Sequence, residues 1–343
     1  MLFEELLNSE NTNDRYDLWK NYREDLTEKI INNFNDILIK KKVKEEKIRR
    51  VKDKQLLHQI KDQKGYKPTL AIWGAGGCND IDIVALSHYF TLILIDDNEK
   101  QIKGARSRAK LSESECVCTN LKFWDVWEEE YYLFDALVKD RAPVEDIVIY
   151  FDDLVNRMVE IDYSTIPTFD FSVCVGLASQ LNSRFMAILY RHKGEPDFYS
   201  NNDILTIVDA FDRLNDIAVE RMCNCINKLT KYGAMFGYEL DSLFIDETDE
   251  SNKDVIEEII REKLNEINSV IEESIHIETA NEKQNIWQFD INIQGSKQLE
   301  KYLMKCELDN PNANSNLICT EALVWPFAIE KSYIMIFRTI DNL

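Results

Sequence analysis

A glycine-rich turn and an aspartate 22 residues after its first glycine have the spacing that most clearly indicates chemistry. The turn, Gly74-Ala-Gly-Gly-Cys-Asn-Asp80, follows a short apolar run at 69–73, and Asp96 closes the next apolar run at 92–95. Glycines permit unusual backbone angles and let a ligand approach the main chain. A carboxylate at the end of the second strand can accept hydrogen bonds from both hydroxyls of an adenosine ribose. This spacing predicts a site for an adenosine-containing ligand.

The charges in the turn distinguish two kinds of adenosine ligand. A dinucleotide turn has a third glycine where this chain has Asn79, because the following helix must begin at a pyrophosphate. Here Asn79 is followed by Asp80 and Asp82, whose negative charges would repel phosphate. They suit a ligand that carries an ammonium and a sulfonium instead. Asn79 or Asp80 is also expected to cap the next helix.

The elements that must position these residues alternate between strand and helix. The region 204–229 has apolar residues at helical spacing, so it is predicted to be a helix. Alternation of this kind predicts an α/β fold, with a mostly parallel sheet and helices on both faces. The runs with strand character are 69–73, 92–95, 116–118, 169–175, 234–238, 286–291 and 332–337.

Helical patterns also lie outside this alternation. Near the start, Leu18, Tyr22, Leu26, Ile30 and Phe34 recur every four residues, which is typical of a helix with one apolar face. We therefore divide the chain into a helical N-terminal extension and a main domain with two helical insertions. The extension is 1–65, the main domain is 66–343, and the insertions are at about 125–167 and 249–282.

Taken in order, several segments resemble the class I S-adenosylmethionine-dependent methyltransferases. The resemblance covers about residues 66–245 and 285–340 and omits the N-terminal helices. It implies a seven-stranded, Rossmann-like, mostly parallel sheet whose last two strands are antiparallel, with S-adenosylmethionine as the cofactor and methyl transfer as the reaction. The matching segments are the turn Gly74–Asp80, the strand end Leu94-Ile-Asp96-Asp97-Asn98 with Ile102, Ala105 and Arg106, the segment Phe169-Asp-Phe171 with Leu177–Leu181, and Lys231-Tyr-Gly233.

The same resemblance implies a role for each matching position. Gly74 and Gly76 would cradle the methionine end, Asp80 would reach the amino group, and Asp96 would hold the ribose. Asn120 departs from the acidic residue that the family often has near the adenine amine, but an amide carbonyl can still accept that hydrogen bond. The positions assigned to the cofactor are Gly74, Ala75, Gly76, Asp80, Asp96, Asp97, Asn120, Val175 and Gly176.

The methyl acceptor leaves no catalytic signature in the sequence. Methyl transfer is an in-line displacement at an activated carbon, so positioning supplies much of the rate and no triad is required. No catalytic residue is therefore predicted. Ligands of open α/β sheets bind at the carboxyl ends of strands, which makes polar residues there candidates for the acceptor pocket. These candidates are Ser179, Gln180 and Asn182 after the fourth strand, and Glu239 and Asp241 after the fifth.

Composition narrows the class of protein. Hydrophobic residues make up 45% and charged residues 30% of the chain, which is typical of a packed globular fold. Neither a membrane-spanning run nor a secretion signal is evident, so we expect a cytoplasmic protein without a membrane partner. The pairs Cys116/Cys118 and Cys223/Cys225 lack the spacing of common zinc sites, and we expect no metal. His192 is the histidine expected nearest the site.

Net charge bears on the acceptor. A formal charge of −21 repels phosphate backbones and favours a small-molecule or protein acceptor over nucleic acid. One segment, 40–54, holds nine basic and three acidic residues. It leaves open a transfer-RNA or ribosomal-RNA methyltransferase, although a solvated helix face explains the same charges. Two further alternatives stay open, a dinucleotide-dependent oxidoreductase and a catalytically inactive cofactor-binding regulator.

Overall fold

Seven strands form one mixed sheet in the order β3-β2-β1-β4-β5-β7-β6. The computed structural model describes residues 16–51, 67–121, 126–158, 166–196, 198–243, 254–265, 294–308, 317–328 and 331–341. Neighbouring strands from β3 to β5 are parallel, whereas β7 runs antiparallel to both β5 and β6. The strands are β1 Thr69–Trp73, β2 Thr91–Asp96, β3 Cys116–Asn120, β4 Phe169–Val175, β5 Thr230–Leu243, β6 Leu317–Ala328 and β7 Lys331–Asp341.

Helices cover both faces of this sheet. No helix among the described residues has the length and apolar character that crossing a membrane requires. The helices are α1 Lys20–Val51, α2 Ile83–Ser87, α3 Glu99–Arg108, α4 Glu128–Lys139, α5 Val144–Arg157, α6 Ser183–Arg191, α7 Asn201–Leu229, α8 254–265 and α9 Gln294–Leu308.

Strand alternation divides the core into two layers. Side chains of successive strand residues point to opposite faces, so each strand supplies both layers. Leu70 and Ile72 of β1 belong to the layer under α1, α2 and α3. Ala71 and Trp73 belong to the other layer, under α4, α5, α6, α7 and α9. The central parallel strands are therefore mostly apolar, as expected for strands buried on both faces, with Asp170 and Ser172 of β4 as buried polar exceptions.

Helix α1 packs on one face of the sheet and contributes to the hydrophobic core. Tyr22, Leu26, Ile30 and Phe34 are buried against the sheet, which follows from their four-residue spacing on one helical face. Lys29 Nζ of this helix also forms an ion pair with Glu321 Oε2 of β6 at 2.9 Å. Helix α1 thus packs against β5 and β6, and its Phe34 ring contacts Phe171 of β4.

The predicted α/β fold with a seven-stranded sheet is confirmed, and β1 and β4 begin and end at the predicted residues. The sixth strand differs from the prediction. In the structure β6 is Leu317–Ala328 and pairs with β7, whereas the predicted run 286–291 lies outside the described residues. Within the two predicted insertions the structure describes α4, α5 and α8. The predicted domain limits stay predictions.

Candidate functional site

The glycine turn after β1 is fixed by the end of β2. The amide N–H groups of Gly74 and Ala75 both donate to the Ile95 carbonyl, at 2.9 and 3.1 Å. Gly74 has φ +68°, and a β-carbon there would lie 2.8 Å from Leu177 Cδ1. Only glycine meets both conditions without strain. The turn therefore presents bare backbone at the edge where β1 and β2 end.

Asp96, the last residue of β2, faces this turn. Its Oδ2 accepts the N–H of Gly76 at 2.8 Å, and its Oδ1 accepts the N–H of Asn98 at 2.8 Å. An ionised carboxylate has about four acceptor positions, so it can bind backbone and ligand donors together. The predicted ribose-holding residue thus has a fixed orientation and lies beside the glycine turn.

Asp97 and Asn120 extend this edge of the sheet. The Asp97 carboxylate forms a forked ion pair with Arg184 of α6, with distances of 2.8 and 3.3 Å. Asn120 is paired with Asp96 in the β2–β3 register, and its Nδ2 donates to the Asp97 carbonyl at 2.9 Å. Because the amide nitrogen is used in this way, Asn120 has its carbonyl oxygen to offer as an acceptor.

Asp80 is the charged group at the far end of the turn. Burial raises its pKa from 3.8 to about 6, against the opposing effects of a backbone hydrogen bond and the charge of Arg23. The prediction that Asn79 or Asp80 caps the next helix is wrong. Asp82 is the cap, and its Oδ1 accepts the N–H groups of Val84 and Ala85 at 3.0 Å. Asp80, two residues before this cap, therefore does not cap the helix.

The start of α1 lies over the turn. Arg23 donates from one nitrogen to the carbonyls of Tyr16 and Asn79, both at 2.8 Å. Its guanidinium also sits 3.7 Å from the centre of the Tyr16 ring. From the other side, Arg108 of α3 donates to the Gly77 carbonyl. Two arginines, one from α1 and one from α3, therefore hydrogen-bond to carbonyls of the turn and help to hold its backbone.

Gly176, directly after β4, marks the middle of the sheet edge. It has φ +65° and its N–H donates to the Gly237 carbonyl of β5 at 2.9 Å. The space where its β-carbon would be is bounded by Glu239 Oε1 and Gln180 Nε2, each 3.5 Å away, and by the Trp325 ring at 3.7 Å. The absent side chain thus leaves room between a carboxylate, an amide and an aromatic ring.

Glu239 is buried at this point, with 4% of its surface exposed. The Ser179 hydroxyl donates to its Oε1 at 2.7 Å, and the Ser296 hydroxyl of α9 donates to its Oε2 at 3.0 Å. Burial raises the pKa of Glu239, while these hydrogen bonds oppose the shift. The structure therefore brings together Ser179, Gln180 and Glu239 from the predicted acceptor candidates.

The other two acceptor candidates bond elsewhere. Asn182 donates to Asp212 Oδ1 of α7 at 2.7 Å. Burial and two neighbouring aspartates raise the pKa of Asp212 to about 6. Asp241 accepts the N–H of Ser242 and lies 3.9 Å from Lys263 of α8. Their roles in acceptor binding stay predictions.

His192 has a place in the helical layer. Its two ring nitrogens lie 2.9 Å from Asp135 of α4 and 2.9 Å from Glu195, so it links α4 to the end of α6. In the part of the chain that the structure describes, no group of three or more His, Cys, Asp or Glu is arranged to hold a metal ion.

Three residues near Gly176 were missed by the sequence predictions: Tyr22, Ser296 and Trp325. Tyr22 appeared only as one of a row of apolar-face residues, yet its ring stacks on Trp325 with centroids 6.0 Å apart. Ser296 belongs to α9, for which the sequence predicted no helix. Trp325 lies on β6, which the sequence analysis had predicted at 286–291. No local pattern marks these residues, because distant segments bring them to the site.

The strand order agrees with the seven-stranded, mostly parallel sheet with antiparallel last strands that the sequence resemblance implied: β1 to β5 are parallel, and the antiparallel β7 lies between β5 and β6. Neither the scan against protein-family models nor the search of curated proteins finds a match.

Among solved structures, the chain is similar to magnesium protoporphyrin IX methyltransferase from Synechocystis PCC 6803 with bound S-adenosylhomocysteine. The two are 8% identical with a TM-score of 0.33, over 81% of this chain and 75% of that one. It is also similar to an O-methyltransferase of tomaymycin synthesis from Streptomyces achromogenes, at 10% identity and a TM-score of 0.26, over 78% and 71%. A phosphoethanolamine N-methyltransferase from Haemonchus contortus matches at 10% identity and 0.26, over 81% and 49%.

Proposed function

We propose that this protein binds S-adenosylmethionine at the carboxyl ends of β1 to β4 and transfers its methyl group to an acceptor held near Gly176. One observation carries the proposal. The glycine turn after β1 is braced by Asp96, and Asp80 stands at its other end, so two carboxylates flank bare backbone. This arrangement suits a ligand with a ribose at one end and a cation at the other.

Charge supports this cofactor over a dinucleotide. A pyrophosphate would need amide donors at a helix start with no carboxylate close by. Here the following helix α2 begins at Ile83 with Asp82 as its cap, and Asp80 precedes it. An ammonium and a sulfonium gain Coulomb energy where phosphates would lose it. The acidic turn therefore fits the methionine end of the proposed cofactor.

Each cofactor residue has a role that its position supports. Gly74, Ala75 and Gly76 would contact the methionine end, with Asp80 on its amino group, and Asp96 would bind both ribose hydroxyls. The adenine would lie towards β3 and the sulfonium towards β4. The residues proposed for these last two contacts are Asp97 and Asn120 for the adenine, and Val175 and Gly176 for the sulfonium.

Little chemistry is required of the side chains. The bound cofactor supplies a methyl carbon already activated by positive sulfur. The protein has to hold an acceptor atom in line with that carbon and keep water out. Because Gly176 has no side chain, the gap beside it is available to the acceptor atom. We propose a small-molecule or protein acceptor, since the formal charge of −21 disfavours nucleic acid.

Titration calorimetry tests the cofactor proposal. We expect S-adenosylmethionine and S-adenosylhomocysteine to bind and NAD not to bind. NAD binding without S-adenosylmethionine binding would contradict it. Incubation with S-adenosylmethionine in cell extract then tests transfer: S-adenosylhomocysteine should accumulate with the protein and not without it. Cofactor binding with no such accumulation would indicate the inactive, regulatory alternative.

A further inference from the structure

Resting on the proposed function, we infer that Glu239 is the proton acceptor of the methyl-acceptor site and that the acceptor group is an amine. Three features point to it: the hydrogen bonds that orient the carboxylate, the space beside Gly176, and a buried tyrosine hydroxyl from α1. None of them is needed to bind the adenosine end of the cofactor.

The Glu239 carboxylate is held in one orientation. Each of its oxygens accepts one serine hydroxyl, from Ser179 after β4 and from Ser296 on α9. Helix α9 packs closely there, since a β-carbon at Gly295 would collide with the Ala178 carbonyl oxygen. Two separate segments therefore converge on one carboxylate, and a group oriented in this way loses little freedom when it meets a substrate.

The Glu239 carboxylate lacks a positive partner in the part of the chain that the structure describes. Among the described residues no lysine, arginine or histidine forms an ion pair with Glu239, although it is 4% exposed. Buried carboxylates are normally paired or neutralised, because burial without a partner is costly. An ammonium group in the space beside Gly176 would supply the pairing charge, and the Trp325 ring beside it provides an aromatic wall that cations tolerate well.

Tyr22, whose ring stacks on Trp325, adds a polar group to this region. Its side chain is 3% exposed, and its hydroxyl has no hydrogen-bond partner within the described ranges. Burial raises the pKa of Tyr22, and the negative charges of Asp80 and Glu239 raise it further, so the hydroxyl lies in the field of both carboxylates. A buried hydroxyl without a partner destabilises the fold, and a hydrogen bond to a bound ligand would offset that cost.

The proton and electron changes balance with these groups alone. The Glu239 carboxylate takes one proton from the acceptor ammonium and becomes a neutral acid, which exposes the nitrogen lone pair. That pair forms the new nitrogen–carbon bond as the methyl carbon–sulfur bond breaks and its electrons stay on sulfur. The product leaves as a methylammonium ion, and Glu239 returns its proton to water. A raised pKa makes the carboxylate a better base for this step.

The competing explanation is that Glu239 only joins α9 to β5 through Ser296. Binding of methylammonium, the smallest amine probe, separates the two explanations without knowledge of the substrate. Saturation-transfer NMR would be used to titrate methylammonium chloride, and separately methanol, into protein saturated with S-adenosylhomocysteine. We expect saturable methylammonium binding that weakens at least about tenfold in Glu239→Gln, because one member of a buried charge pair is lost. Methanol binding should be the same in both proteins.

Glu239→Gln keeps the size of the side chain and one carbonyl acceptor. Asp152→Asn is the matched control, since it removes an exposed carboxylate from α5. It should behave as the unmodified protein. Equal methylammonium binding by Glu239→Gln and the unmodified protein, or no saturable binding by either, would overturn the proposal. So would loss of S-adenosylhomocysteine binding in Glu239→Gln, which would assign Glu239 to the cofactor.

A second arm identifies the source of the amine. Extract supplied with methyl-labelled S-adenosylmethionine is passed through a filter that retains proteins. Label in the filtrate indicates a small amine, and label on retained protein at lysine indicates a protein acceptor. Either result supports the inference if Glu239→Gln loses most of it, whereas label on carbon or oxygen would overturn it. Failure of S-adenosylhomocysteine to bind the unmodified protein would instead defeat the proposed function.

Discussion

The carboxylate of Asp96 accepts the backbone N–H of Gly76 at 2.8 Å. The last residue of β2 therefore holds the turn that follows β1, and the two segments that would contact opposite ends of an adenosine ligand are joined before any ligand arrives. Preorganisation of this kind lowers the entropy cost of binding. Asp96 thus has a structural role and a proposed binding role in one side chain.

Replacing Asp96 with alanine should weaken both functions. Two charge-assisted hydrogen bonds to the ribose are worth about 1.5–3 kcal/mol each, so S-adenosylhomocysteine affinity should fall by at least about 100-fold. The unfolding free energy should also fall by about 1–3 kcal/mol, because the N–H groups of Gly76 and Asn98 lose their acceptor. Calorimetry and urea denaturation measure the two effects. An unchanged affinity would remove Asp96 from the cofactor site.

Two glycine-to-alanine changes should have opposite effects on stability. At Gly74 the backbone has φ +68° and the new β-carbon would lie 2.8 Å from Leu177 Cδ1, so Gly74→Ala should cost about 1–3 kcal/mol and weaken cofactor binding. At Gly104, within α3, nothing lies within 4 Å, and Gly104→Ala should stabilise the protein by about 0.5–1 kcal/mol. Thermal denaturation compares them. Equal effects would mean that the Gly74 conformation is unimportant.

Cofactor binding should depend on pH through Asp80. Its pKa is raised from 3.8 to about 6, so below about pH 6 the folded, unliganded protein holds a proton there that a cationic ligand must displace. Affinity for S-adenosylmethionine should therefore fall by up to about tenfold per pH unit below pH 6 and be level above it. Asp80→Asn should flatten this profile and bind more weakly at neutral pH. A profile that Asp80→Asn leaves unchanged would contradict the assignment.

The same shift has a defined effect on stability. Because the folded pKa of Asp80 is above the unfolded one, its contribution favours the fold below about pH 4 and is lost as the pH rises through about 6. Asp80→Asn should therefore raise the unfolding free energy at pH 7 relative to the unmodified protein. Urea denaturation at pH 4 and pH 7 measures this difference. A lower stability at pH 7 would show that Asp80 makes favourable contacts that outweigh its burial.

Tyr22→Phe should separate stability from function. Removing a buried hydroxyl that has no hydrogen-bond partner among the described residues relieves its desolvation penalty, so the protein should be as stable or up to about 1 kcal/mol more stable. Methylammonium binding should weaken if that hydroxyl contacts the acceptor. Tyr333→Phe is a matched control, since Tyr333 also lies against Trp325, with ring centroids 6.1 Å apart. Marked destabilisation by Tyr22→Phe would indicate a structural hydrogen bond.

The sequence was sufficient where chemistry and secondary structure are local. β1 and β4 were predicted to the residue, because strands buried on both faces are mostly apolar runs, which here end just before Gly74 and Gly176. Asp96 was found by its distance from Gly74, since a strand–turn–helix–strand unit places the two at one edge. Parallel strands all end at that edge, so their following residues could be grouped without coordinates.

Non-local relationships were beyond the sequence. The apolar spacing of α1 predicted a buried face, but not that Tyr22 would meet Trp325 from β6. Ser296 reaches Glu239 through tertiary packing that has no periodic pattern. Within the predicted helix 204–229, the apolar residue Leu205 is 60% exposed, whereas its neighbours Ile204 and Ile207 are buried. Apolar periodicity therefore predicts that a helix forms better than it predicts which face of that helix is buried.

The contact between α1 and β6 sets an order of events when the protein is made. Trp19 donates its indole N–H to the Pro326 carbonyl, 307 positions later in the chain. At about 5–20 residues per second, a ribosome needs roughly 15–60 s to supply that partner. During this interval the Trp19 and Tyr22 rings lack the Trp325 surface on which they finally pack, so the nascent helix is an exposed apolar segment that chaperones can recognise.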